Sequence, residues 1–320
     1  MSIPTEHPYP FDPAYGFGID ELRAIKPPLA PPDFDDVWRT RYSDALDVAP
    51  GPRLSASASS HPRWKIHDVT YTSTGAIRIG GWLLAPREGN IRRGLVVGHG
   101  YGGRDQPDFD IPVKETAVLF PCFRGLSRSR HPPIPSDPAW HVLYDIDKPD
   151  RYILRGCVED LWLAVSVLAE LYPEVGGKIG YSGESFGGGV GALAIAFDKR
   201  IDRGHLVVPT FGDMPLWLSL PTCGSGAAVQ RYQAAHPQVR ETLRLFDAAT
   251  AATRIRQPML VAVARFDPVV APPCQFAIGN ALTSNCQETV VLDAGHVDYP
   301  GSMEQHAMLA EKVGRFLKAA

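Results

Sequence analysis

Three features that would point to particular classes of protein are missing from this chain. Cysteine is scarce: five residues, at 122, 157, 223, 274 and 286, odd in number and never spaced C-x-x-C. That pattern speaks against a disulfide framework and against a zinc site, and the thiols are expected to be small buried hydrophobes. Charge of one sign is not in excess either, because 32 Lys and Arg against 35 Asp and Glu leave a formal net charge of −3. A nucleic-acid partner recognised by charge is not expected. No apolar run approaches the roughly 20 residues of a membrane helix. The start, MSIPTEHPYPFDPAYG, lacks the basic stretch and apolar run of a secretory signal. A cytoplasmic protein without membrane contact is the resulting expectation. The ten histidines include no H-E-x-x-H, and the glycines form neither G-x-x-x-x-G-K-[ST] nor a helix-opening G-x-G-x-x-G.

What is present is a chain of 320 residues, 44% hydrophobic, ample for a large core. Residues 1–33 are rich in proline and read as an irregular segment wrapping the body of the fold. FDDVWRTRYSDALD from Phe34 reads as an amphipathic helix. WKIHDVTYT and IRIGGWLLA, joined by a short Thr-Gly turn, read as an antiparallel pair of strands. Six short apolar runs follow, at 94–100, 116–120, 178–182, 205–209, 258–264 and 288–293. Runs without strict alternation suit strands buried on both faces, as in a parallel sheet. Helical stripes intervene: Ile153, Cys157, Leu161, Val165 and Leu168 share one face, and Leu309, Val313, Phe316 and Leu317 another. Ser302 and Gln305 have capping-box spacing at the start of that last helix. The reading is a single α/β domain over 1–320, mostly parallel, with antiparallel strands first and helices on both faces. Residues 210–256 contain no convincing strand and read as a mainly helical insertion above the C-terminal edge of the sheet, where ligands bind in such folds.

The densest glycine cluster is GYSGESFGGG, 180–189. Gly183-Glu184-Ser185-Phe186-Gly187 fits G-x-S-x-G between a strand and a helix, the pattern of a nucleophile elbow. The turn is so tight that side chains two residues either side of the serine collide, which calls for glycine at both places. Ser182 lacks the second glycine and competes poorly.

A serine hydroxyl is a weak nucleophile until a base takes its proton. In this fold the order along the chain is Ser, Asp or Glu, His. Asp267, in ARFDPVVAP, follows one strand, and His296, in LDAGHVDYPG, follows the next. Both then lie at the same sheet edge as Ser185. The competitors fit less well: His306 falls in the last helix, His236 in the insertion, Asp293 too close to His296, and Asp247 in a helix. Attack on a carbonyl also needs N–H donors for the oxyanion. The backbone N–H of Phe186 is one candidate, and that of Tyr101, in VVGHGYGG, the other.

These segments together resemble the acetyl xylan esterase and cephalosporin C deacetylase family, carbohydrate esterase family seven. The resemblance is carried by PPDFDDVW, HGYGG, GESFGGGVGAL, FDAATAATRIRQPMLVAVARFDPVVAPPCQFAIGNAL and AGH. It implies an α/β-hydrolase fold, removal of acetyl groups from small esters including acetylated xylo-oligosaccharides, and no cofactor. It also implies a homo-oligomer, by family analogy a hexamer with active sites facing an inner chamber. Three positions depart from the family pattern. Leu126 stands in Arg124-Gly125-Leu126-Ser127 where the family has Arg-Gly-Gln-Gly. Phe186 replaces the glutamine after the nucleophile, and Val297 the glutamate after the histidine. Other specificities on the same machinery, for longer acyl esters, lactones or peptides, stay open, with PLWLSLP (215–221) as the candidate acyl-pocket wall. So does a non-catalytic binding protein on this fold.

Overall fold

Short apolar runs bounded by glycine and proline build one sheet in the computed structural model, which describes residues 7–283 and 287–318. The strands are β1 (Arg53–Ala56), β2 (Trp64–Thr72), β3 (Arg78–Pro86), β4 (Arg93–Gly98), β5 (Thr116–Pro121), β6 (Ile179–Glu184), β7 (Ile201–Val207), β8 (Met259–Ala264) and β9 (Gln287–Leu292). Their order is β1-β2-β3-β5-β4-β6-β7-β8-β9. Pairings from β1 to β5 through β2 and β3 are antiparallel, and all those from β5 to β9 are parallel.

Burial on both faces explains the unbroken apolar runs. In β8, Val261 and Val263 enter one core cluster while Leu260 and Ala262 enter the other. Each such Val or Leu contributes about 1.5–3 kcal/mol by leaving water. The first face is covered by helices Phe34–Leu46, Ile153–Leu171, Phe186–Phe197 and Pro272–Ala281. Ile153–Leu171 is buried well beyond its stripe, because it lies between the sheet and Phe34–Leu46. Its Trp162 donates from Nε1 to the Ala194 carbonyl (3.0 Å) and meets Trp38 edge-on. The second face is covered by the last helix, Ser302–Lys318, through Leu309, Val313 and Leu317.

Several details differ from the sequence reading. β1 was not expected; it is a four-residue edge strand with every residue exposed, so no apolar signal marks it. The proline-rich N-terminal segment contains a short helix, Ile19–Ala24. The last helix does begin at Ser302, yet the Gln305 side chain reaches out of it: Nε2 donates to Asp293 Oδ2 (2.8 Å), and Oε1 accepts from the Asp293 amide and the Tyr299 hydroxyl. Residues 210–256 hold four helices, Met214–Ser219, Ser225–Ala235, Val239–Arg244 and Ala248–Ala252, and no strand. Cys122, Cys157 and Cys274 are buried, whereas Cys223 is exposed, and Cys286 lies outside the described residues, as do 1–6 of the N-terminal segment.

The N-terminal segment crosses the C-terminal edge of the sheet. The Asp12 carboxylate accepts from the amides of Ala14 and Gly16, which stiffens the turn there. Ala14 then packs with Phe266, Ala294 and Tyr299, and Tyr9 and Val297 close the cluster. Residues 9–14 thus cover the loops that follow β8 and β9.

Candidate active site

Ser185 joins β6 to helix Phe186–Phe197 with φ 52° and ψ −113°. That left-handed backbone costs a non-glycine residue on the order of 1–3 kcal/mol and persists only where its surroundings enforce it. Here they do. A Cβ on Gly183 would lie 2.5 Å from the Gly187 carbonyl oxygen, and one on Gly187 would lie 2.9 Å from the His99 carbonyl oxygen. The two glycines let the elbow close and let its helix sit against the loop after β4. The Ser185 amide donates to the Val207 carbonyl (2.8 Å), which ties the turn to β7.

The loops after β8 and β9 bring the other two sequence-selected side chains to this hydroxyl. His296 Nε2 lies 2.9 Å from Ser185 Oγ, and His296 Nδ1 lies 2.7 Å from Asp267 Oδ2. A carboxylate only accepts, so Nδ1 carries the proton and Nε2 is left free to accept from the serine. Asp267 is fully buried. Its Oδ1 accepts from the amides of Val269 (2.8 Å) and Val270 (2.9 Å), and its Oδ2 accepts from Gln275 Nε2 (2.8 Å) as well as from His296. Its own amide donates to the Pro13 carbonyl of the N-terminal segment (3.0 Å). Burial pushes the His296 imidazole down, but the hydrogen bond and charge of Asp267, with Glu184 adding, outweigh it and raise its pKa above the ordinary value.

The rejected competitors stay away from this cluster. His306 lies in the last helix and His236 ends helix Ser225–Ala235. Asp293 is bonded to Gln305. Asp247 caps helix Ala248–Ala252 by accepting from Thr250, and burial raises its pKa to about 6.

A cleft of about 410 Å³ opens over Ser185 and His296. Tyr101 and Phe186 both line it, and among the described residues neither of their amides donates to another protein group. Their rings touch at a tilt of 31°, with centroids 4.0 Å apart. The loop carrying Tyr101 is held from behind by His99, whose Nδ1–H donates to the Gly100 carbonyl (2.7 Å) and whose Nε2 accepts from the Phe123 amide (3.1 Å). Burial lowers the His99 pKa to about 4, so this histidine is neutral and structural. Trp217 is the one member of PLWLSLP that lines the cleft; Leu216, Leu218 and Leu220 pack against the core.

Comparison with known proteins gives the family. The sequence profile described as acetyl xylan esterase (AXE1) matches residues 15–313. The chain belongs to the acetyl xylan esterase family. It is therefore a carboxylic ester hydrolase acting on acetyl esters, with a small-molecule ester as substrate. Two similar solved structures are acetyl xylan esterases. Acetyl xylan esterase 1 from Thermoanaerobacterium sp. JW/SL YS485 is 21% identical with a TM-score of 0.80, over 97% of this chain and 100% of that one. The enzyme from Paenibacillus sp. R4 is 23% identical with a TM-score of 0.78, over 92% and 99%. A prolyl endopeptidase shares the fold at 18% identity and a TM-score of 0.60, over 82% of this chain but 39% of its own. At these identities the likeness is one of fold.

Within this acetyl xylan esterase family member, the three departures are accommodated locally. Leu126 is buried, and its turn closes through the backbone, its amide donating to the Phe123 carbonyl (2.9 Å) and its carbonyl accepting from Ser129 (2.8 Å). Phe186 fills the space beneath Tyr101, and Val297 joins the cluster under the N-terminal segment. Arg124 makes a buried ion pair with Asp160 and also donates to Ser73 and Thr74. Sequence reasoning missed that pair, the His99 brace and Gln275. Their partners lie 36, 24 and 8 residues away, outside any local pattern. Among the described residues, no three His, Cys, Asp or Glu are grouped to hold a metal ion. Nor is any helix there long and apolar enough to cross a membrane.

Proposed function

We propose that Ser185, His296 and Asp267 are the catalytic triad of this esterase, with the amides of Phe186 and Tyr101 as its oxyanion hole. The observation that carries this reading is the continuous hydrogen-bonded line from Ser185 Oγ through His296 to Asp267 Oδ2. Ser185 Oγ attacks the ester carbonyl carbon while His296 Nε2 takes its proton. The carbonyl π electrons move to oxygen, and the two amides hold that charge. Collapse expels the alcohol, which takes the proton from His296 and leaves acetyl-Ser185. A water then gives its proton to His296 and attacks the acyl carbon, releasing acetate and restoring the serine. Asp267 keeps Nδ1 protonated and stabilises the imidazolium formed twice in the cycle.

The substrates favoured by this reading are small acetylated carbohydrates. Trp217, Phe186, Val269 and Val270 line the cleft with Ser185 and give it an apolar wall for an acyl methyl group. The unpaired thiols of Cys122, Cys157 and Cys274 suit the reducing cytoplasm. The family resemblance supports assembly as a homo-oligomer, a hexamer by analogy, and light scattering on the full chain tests it. The decisive variant is Ser185→Ala. Turnover of a chromogenic acetate ester is expected to disappear in folded protein; undiminished turnover would remove Ser185 from its role.

A further inference from the structure

Gln275 is fully buried in helix Pro272–Ala281, yet every polar atom of its side chain is engaged, and all on one task. Its Oε1 accepts from the amide of Ala264, the last residue of β8 (2.8 Å). Its Nε2 donates to the Val270 carbonyl (2.7 Å) and to Asp267 Oδ2 (2.8 Å). The two backbone partners fix the amide's orientation, because an amide donor cannot face the Ala264 N–H nor an acceptor the Val270 carbonyl. The side chain therefore bridges the end of β8, the loop beyond it and the carboxylate in between. A buried glutamine in an otherwise apolar helix face is costly unless satisfied in this way.

Asp267 Oδ2 is shared between Gln275 Nε2 and His296 Nδ1. We propose that Gln275 is a positioning residue of the triad, which locks the Asp267 carboxylate towards His296 and withdraws part of the negative charge that Oδ2 offers to the imidazole. The proposal rests on the triad reading above. Two consequences follow from the shared oxygen. Without the Gln275 donor, the carboxylate is held only on its Oδ1 side, by Val269 and Val270, and can swing away from His296. When His296 does meet it, Oδ2 carries more charge, so the imidazolium is better stabilised and the histidine gives up its proton at higher pH. The charges acting on His296 are Asp267 from the loop after β8 and Glu184 from β6, and Tyr101 is the other titratable group lining the cleft. A change at Gln275 removes none of these groups and acts on His296 only through the hydrogen bond to Asp267 Oδ2.

The test is Gln275→Met in the full chain, which keeps the length and removes the donors. Active sites are first counted with a fluorophosphonate, and kcat and KM on a chromogenic acetate ester are measured per titrated site across pH. The expected result is kcat lowered about tenfold, KM within twofold, and the acid limb of kcat/KM moved to higher pH. A kcat and an acid limb identical to the parent's per titrated site would overturn the proposal. A purely structural role would lower the count of sites or the melting temperature and leave the limb in place. If the variant does not fold, the unaltered protein answers by NMR. The Gln275 side-chain amide signal is expected to shift with the same inflection as His296, and a signal constant through that titration would overturn the proposal. Failure of the phosphonate to react with the parent protein would instead count against the triad itself.

Discussion

In the proposed triad Asp267 is the residue on which the chemistry turns, because a wrong tautomer of His296 leaves Ser185 without a base. Asp267→Asn keeps the side-chain shape but offers an amide where the carboxylate accepted. If its oxygen stays with the Val269 and Val270 amides, its NH₂ faces Nδ1, and Nε2 then carries the proton. The expected outcome is a kcat lower by about 10³–10⁴ with a smaller change in KM, read by steady-state kinetics. The pH dependence follows from the same pair. His296 must be neutral to take the serine proton, so activity is lost as pH falls through its pKa. Since Asp267 and Glu184 raise that pKa against the effect of burial, the acid limb of kcat/KM is expected above the ordinary histidine value of about 6.5. His99 and His141 are pushed down to about 4 by burial and stay neutral throughout, so neither sets the limb. An inflection well below 6.5 would contradict this account of the site.

At the scale of elements, the site depends on loops being held from outside the sheet. The elbow needs its helix against the loop after β4. Gly187→Ala sets a methyl group 2.9 Å from the His99 carbonyl oxygen, and overpacking of this kind costs about 1–3 kcal/mol. A lower melting temperature together with reduced kcat is expected, since the Tyr101 loop must give way. The N-terminal segment holds the other two loops. Pro13 accepts from the Asp267 amide, and Ala14 packs on Phe266 and Ala294. Deletion through Gly18 is expected to cut kcat at least tenfold, while circular dichroism still reports the α/β core. Full activity in that truncation would show that the acid and base loops stand unaided.

How legible these elements were depended on whether they announce themselves locally. β4 to β8 carry the short apolar runs that burial on both faces requires, β2 and β3 carry β-rich composition around a turn, β9 carries Val290-Val291-Leu292 at a half-buried edge, and the elbow carries its glycines, so all could be read directly. β1, exposed at all four residues, carries no such mark. Helix Pro138–His141 is a single turn started by Asp137, which accepts from the Ala139 and Trp140 amides, and nothing in its four residues demands a helix. Ser185, Asp267 and His296 were readable because each follows a strand in a required order. Gln275, His99 and the Arg124–Asp160 pair were not, because a buried polar side chain gains its meaning from a partner elsewhere in the fold.

For the whole molecule, the sheet matters as a frame that delivers three separate loops to one edge. β6, β7, β8 and β9 are parallel neighbours, so their C-terminal ends lie side by side, and the turns that leave β6, β8 and β9 converge. The cleft they share is lined by Phe186 and by Trp217 from the insertion. With chromogenic esters of increasing chain length, kcat/KM is expected to fall from acetate through butyrate to octanoate; a preference rising with length would contradict a deacetylase. The central claim is that Ser185 and His296 act as one unit, and site-specific labelling tests it most directly. A fluorophosphonate is expected to add a single group to the parent protein, on the peptide containing Ser185, and to react at least a hundredfold more slowly with His296→Ala. Labelling at another residue, or an unchanged rate in His296→Ala, would contradict the account.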